Sequence, residues 1–277
     1  MNFLTKWYGM RLFAGFLCLL SSGMAVQVHA ACSRVINAPV TALGHSVIVN
    51  GDSITGIYPE IFKSLASRET CQFNFSAVPR ARLELLFENG QADILFPAIR
   101  TNRRDEHGIF VPLIYTRATL ISIQSARPAI HSQQELLEQK SLKVALVRGY
   151  DYGEAYQAIS AELGRQGRLI LEADAISVAR VLKAGVADAT IMAPYIFAGT
   201  VQGDARVDDL SEKLRFEAIP ELPWADSGVY LSKKSLTQDD RNTLQDMMER
   251  AARSGAVWKG FLRYYKPEVL KEGNRPR

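Results

Sequence analysis

The feature that most constrains this chain is a four-residue junction that recurs at one place in a repeated order of elements. Gly90-Gln91-Ala92-Asp93 and Gly185-Val186-Ala187-Asp188 each close an amphipathic helical stretch and each enter an apolar strand. Ahead of the first junction, Phe73, Phe75 and Ala77 alternate with polar residues at the period of a half-buried strand. Leu83, Leu86 and Phe87 then repeat at helical spacing. About a hundred residues on, the order returns as strand 142–147, helix 154–163, strand 169–171 and helix 176–184. The glycines suit the left-handed residue that closes a helix, and helix, glycine, strand is the pattern of a parallel sheet with crossover helices. Two copies predict two similar lobes rather than one large domain. Asp93 and Asp188 hold corresponding places, where a short acidic residue binds nearby backbone N–H groups; that reading is preferred to a catalytic one.

The flanking segments complete the pattern. In 56–65, Ile57, Ile61 and Leu65 lie four apart with Pro59 in the first turn, predicting a helix. A strand at 228–231 precedes a helix that Thr237 and Asp240 open. Its inner face is Leu244, Met247, Met248 and Ala251, and Gly255 ends it. Trp258, Phe261, Leu262, Tyr264 and Tyr265 carry too much apolar surface to stay solvated, so the tail is expected to dock on the first lobe.

Lys6 and Arg11, the apolar run 12–20, the small residues Ser21, Ser22 and Gly23, and Val28-His29-Ala30 form a secretory signal over 1–30. The apolar run is short of the roughly 20 residues that span a bilayer. Cys32 follows at once, but His29 stands where a lipobox has Leu, so cleavage after Ala30 and a periplasmic location are expected. The mature chain then keeps Cys32 and Cys71, an even number in an oxidising compartment. A disulfide is the expectation and two unpaired buried thiols the alternative; no spacing around either suits a metal. Without the signal the formal charge falls from +4 to +2. With no run of Lys and Arg interleaved with aromatics, nucleic acid is not an expected partner.

Across nearly the whole mature chain the sequence resembles the type 2 periplasmic binding proteins, specifically family 3, which serves polar amino acid uptake and related sensors. The segments that carry the likeness are 56–65, 86–96, Thr101-Asn102-Arg103-Arg104, 112–115, 143–149, 182–190 and the tail 253–265. The resemblance implies an α/β chain of two hinged lobes, each a mainly parallel sheet flanked by helices. Lobe one is expected to hold 31–122 plus 221–277 and lobe two 123–220, with crossings near Ser122 and Pro220. It also implies a carboxylate-binding role for Arg104, the arginine of the Thr-x-x-Arg motif, whose planar fork suits two parallel hydrogen bonds.

Departures from that pattern bear on the ligand. Ala193 stands where the family has an aspartate for the ligand's amino group, and Val78-Pro79-Arg80-Ala81-Arg82 replaces the usual aromatic. Gly149-Tyr150-Asp151-Tyr152 replaces a glycine with small hydroxyl residues; its backbone N–H groups still suit an anion, within a more aromatic wall. Arg104, Arg80, Arg82, Tyr115, Tyr150 and Asp151 are therefore the expected ligand-binding residues, for a small polar molecule that is anionic or amino-acid-like. A solvated helix face is the alternative for Arg80 and Arg82.

No cofactor or metal is expected, and the protein is expected to be a monomer that meets an ABC permease or a membrane sensor. His29, His45, His107 and His131 show no spacing for nucleophile activation or metal binding, so binding without catalysis is the first reading. The alternative is a periplasmic enzyme on the same fold, such as a cyclohexadienyl dehydratase-like lyase.

Overall fold

The computed structural model describes residues 32–69 and 71–277; the expected signal at 1–30 lies outside the described residues. The first stretch runs β1 (Ile36–Val40), β2 (Ile48–Asn50), β3 (Ser53–Thr55), α1 (Ile57–Glu69), β4 (Phe73–Ala77), α2 (Arg80–Glu88), β5 (Ile94–Ile99), α3 (Asn102–His107) and β6 (Gly108–Thr116). The second runs β7 (Thr119–Ile123), α4 (Gln133–Glu138), β8 (Val144–Val147), α5 (Glu154–Arg165), β9 (Leu169–Glu172), α6 (Ala175–Lys183), β10 (Ala189–Met192), α7 (Pro194–Gln202) and β11 (Leu214–Glu217). The chain then returns with β12 (Ala225–Ser232), α8 (Gln238–Arg253), α9 (Ala256–Tyr264), α10 (Pro267–Gly273) and β13 (Asn274–Pro276).

Two larger sheets form beside two two-stranded pairs, β1–β4 and the β2–β3 hairpin. One larger sheet has the order β13-β6-β12-β5; the other has the order β11-β7-β10-β8-β9. The parallel pairing expected from the repeated units is found at β1–β4, β8–β9 and β8–β10. The other pairs of the two sheets, β7–β10, β7–β11, β5–β12, β6–β12 and β6–β13, are antiparallel.

The duplication is visible in the hydrogen bonds. The Asp93 N–H donates to Asn37 O at 2.9 Å and its carboxylate accepts from Asn37 N at 2.7 Å. The Asp188 N–H donates to Lys143 O at 2.9 Å and its carboxylate accepts from Lys143 N at 2.7 Å. Gly90 and Gly185 both take positive φ, 74° and 68°, the left-handed closure that a side chain disfavours. Ile36 lies opposite Phe73 in the β1–β4 pair, which brings Cys32 and Cys71 to the same edge; they are bonded, with Cα atoms 4.9 Å apart.

The chain passes from one sheet to the other at Arg117 and Ala118, ahead of the expected Ser122. Ser122 lies inside β7, opposite Ala189 on one side and Arg215 on the other. The return lies between β11 and β12 and includes Pro220. The two sheets share one hydrophobic core, in which Ile36 and Ile94 join Ile121, Val147, Met192 and Phe197.

Helix α7 is apolar nearly all round and correspondingly buried, from Pro194 to Val201 apart from Thr200. The tail reaches it: Phe261 is fully buried against Tyr58 and Tyr195, and Gly273 meets Pro194. The tail thus docks on both sheets' helices rather than on the first lobe alone, and Leu262, expected inside, is 51% exposed. His45 N donates to Tyr265 Oη at 2.8 Å directly over Gly199. A Cβ at Gly199 would sit 2.6 Å from that hydroxyl and 2.8 Å from His45 N. Gly199→Ala is expected to cost about 1–3 kcal/mol through overpacking, read as a lower urea midpoint; an unchanged midpoint would mean that this contact is absent in solution.

Candidate functional site

Arg80 opens α2 and Glu84 lies one turn later on the same face, the i,i+4 spacing that brings side chains together. Thr101 caps α3, its hydroxyl accepting from Arg104 N at 3.3 Å, so the Thr-x-x-Arg motif fixes the first turn of α3 and directs Arg104 inward. All three charged side chains are buried: Arg80 is 4% exposed, Glu84 4% and Arg104 3%. Glu84 Oε1 accepts from Arg80 Nε and from Arg104 Nη2, both at 2.8 Å, while Oε2 accepts from Arg104 Nε at 3.1 Å. Arg80 Nη1 donates to Pro97 O at 3.0 Å and Arg104 Nη1 to Ile99 O at 2.9 Å. Burial pushes the Glu84 carboxyl upward, but the Arg80 and Arg104 guanidiniums outweigh it and hold it at about 2.

The two guanidiniums face a cavity between the sheets. From the first sheet's side come Arg80, Arg104, Thr116 and Ser227; from the other come Tyr150, Asp151, Tyr152 and Tyr195. Gly149, at the turn after β8, packs on α2 so closely that a Cβ would lie 2.8 Å from Ala81 Cα. The Tyr150 and Tyr152 rings meet edge to face at 6.3 Å, and Tyr152 Oη accepts from Ala193 N at 3.1 Å. Burial raises the Tyr152 hydroxyl to about 12 and pushes Tyr150 higher still, so both are neutral hydrogen-bonding groups at pH 7. The backbone after Gly149 is partly occupied: Tyr150 N donates to Val147 O at 3.1 Å, and Gly153 N to Asp151 Oδ1 at 2.8 Å. The cavity is about 30 Å³, room for one or two waters and too small for a molecule of amino-acid size.

Of the residues expected from sequence, Arg80, Arg104, Tyr150 and Asp151 line this cavity. Arg82 does not; two residues past Arg80 it points to the far side of α2 and is exposed. Tyr115 also lies elsewhere. Strand alternation turns Thr116 to the cavity and Tyr115 to the opposite face, where the Arg275 guanidinium stacks on it at 5.0 Å. Glu84 was not among the expected residues, although its spacing from Arg80 was available as a signal. Among the described residues, no group of three or more His, Cys, Asp or Glu could hold a metal ion.

No protein-family model and no curated protein matches the sequence, whereas many solved structures match the fold. The arginine-, lysine-, histidine-binding protein ArtJ from Geobacillus stearothermophilus matches with a TM-score of 0.67 at 12% identity, over 86% of this chain and 98% of its own. A histidine kinase sensor domain with similarity to periplasmic binding proteins matches at 0.67 and 14%, over 84% and 96%. AncCDT-1, an ancestral amino acid-binding protein and precursor of cyclohexadienyl dehydratase, matches at 0.63 and 16%, over 84% and 96%. The chain therefore has the two-lobe α/β fold of the type 2 periplasmic binding proteins. Among the described residues no helix is long and apolar enough to cross a membrane.

Proposed function

We propose that the chain is a secreted, periplasmic solute-binding protein that closes two lobes over a small polar ligand carrying an anionic group, without transforming it. Lobe one would hold the residues up to Thr116 and from Ala225 on, lobe two those from Thr119 to Glu217, and the lobes would hinge where the chain passes between sheets. The observation that carries this reading is the cavity where both sheets meet, floored by Arg80 and Arg104 and walled by tyrosines. Buried, convergent polar groups in an otherwise apolar cleft are what a small-molecule site requires, and hinge closure joins the lobes into one surface for a membrane partner. An ABC-type permease is the partner this reading favours. The sensor-domain neighbour supports a receptor as the second candidate.

The test is a thermal-shift screen of the protein against amino acids, monocarboxylates, dicarboxylates and aromatic acids, with small-angle scattering on each hit. A ligand at a hundred times its Kd should stabilise the protein by about 2.7 kcal/mol and reduce its radius of gyration. No stabilising compound would sink the reading. Steady conversion of a hit would replace it with that of a lyase.

A further inference from the structure

The cavity floor holds two cations and one anion in a fixed arrangement. A guanidinium has five N–H groups. Arg104 uses three, on Glu84 and Ile99 O; Arg80 uses two, its Nε on Glu84 and its Nη1 on Pro97 O, with its Nη2 in ion-pair contact with Glu84 at 2.6 Å. At least one N–H on each Nη1 and each Nη2 is free of these bonds. Glu84 lies behind the guanidiniums and does not line the cavity, yet its charge is felt there, leaving the pair with a single net positive charge. The acid that does line the cavity, Asp151, is held from the opposite wall by Gly153 N at 2.8 Å and Gln157 Nε2 at 3.0 Å. Among the described residues the lining has no cation besides Arg80 and Arg104.

We propose that Glu84 is the specificity-determining residue of the cleft. By cancelling one guanidinium charge it selects monocarboxylates that carry a hydrogen-bond donor for Asp151 and rejects dicarboxylates. This rests on reading the cavity as the ligand site. A first carboxylate docks on the spare N–H groups and neutralises the floor. A second would be buried without a cation while facing Asp151, and an unpaired buried charge is strongly disfavoured.

Matched ligands test this by titration calorimetry: glutamine against glutamate, and 4-hydroxybutyrate against succinate. Within each pair only the far end changes, from neutral to anionic. The parent protein should bind the neutral-ended member at least tenfold more tightly, and Glu84→Gln should move that ratio at least tenfold toward the dicarboxylate. The double variant Arg80→Gln with Glu84→Gln leaves one guanidinium and should restore the parent preference, with folding of each variant checked by circular dichroism. Equal or tighter binding of the dicarboxylate by the parent would overturn the proposal, as would an unchanged ratio in folded Glu84→Gln. A ligand whose anionic group is not a carboxylate would also overturn it while leaving the binding-protein reading intact; a wider screen with no hit would overturn both.

Discussion

Exchanging Glu84 for alanine is expected to lower the folding stability by about 3–5 kcal/mol, the usual cost of removing one partner from a buried ion pair. The effect should sit at the upper end because a single carboxylate serves two guanidiniums that are each less than 5% exposed. Urea unfolding at pH 7 measures it, and an unchanged midpoint would show that Arg80 and Arg104 are hydrated in solution. The same group predicts a pH dependence. Its carboxyl is held at about 2 in the folded protein against an ordinary value of 4.5. A carboxylate with a depressed folded pKa contributes fully above its unfolded pKa, and the contribution fades as pH falls toward the folded one. Between pH 5 and pH 3 the parent should therefore lose more stability than Glu84→Gln, which has no proton to take up there; parallel losses would argue against the pairing.

Reducing the Cys32–Cys71 bond, or replacing both cysteines by alanine, should cost about 4 kcal/mol, from the chain entropy regained by a loop of this length. The bond closes a sequence separation of 39 residues and fastens the start of β1 to the start of β4. The comparison is one of urea midpoints for the oxidised and reduced protein at equal pH. Coincident curves would mean that the β1–β4 pairing confines the unfolded chain as tightly without the crosslink.

Much of the fold was legible because it is written twice. The two glycine-to-aspartate junctions predicted the helix closures and the backbone bonds at Asp93 and Asp188 that the structure contains. The cysteine pairing followed from an even count in an oxidising compartment. What local patterns did not carry were facts of tertiary packing. Pro-Arg-Ala-Arg announces two arginines but not which one faces inward; helix phase sends Arg80 to the cavity and Arg82 to solvent. The strand through Tyr115 and Thr116 could have presented either face to the cleft. Glu84 is hard to single out because an Arg and a Glu four apart on a helix most often form a solvated pair. Its burial depends on Arg104 arriving from α3, a different helix. The passage near Ser122 was misplaced for a related reason: β7 reads as a continuation of β6, and only its pairing with β10 and β11 assigns it to the other sheet.

The order β13-β6-β12-β5 has a consequence for how the chain emerges from the ribosome. Strand β12 lies between β6 and β5, yet it is synthesised after all of β7 to β11. The second sheet is contiguous in sequence and can close as soon as it appears. The first keeps β5 and β6 with open edges until more than a hundred further residues have followed. Unpaired strand edges invite pairing with other chains. This half of the molecule is the one that a holding chaperone would need to guard while the chain is being made.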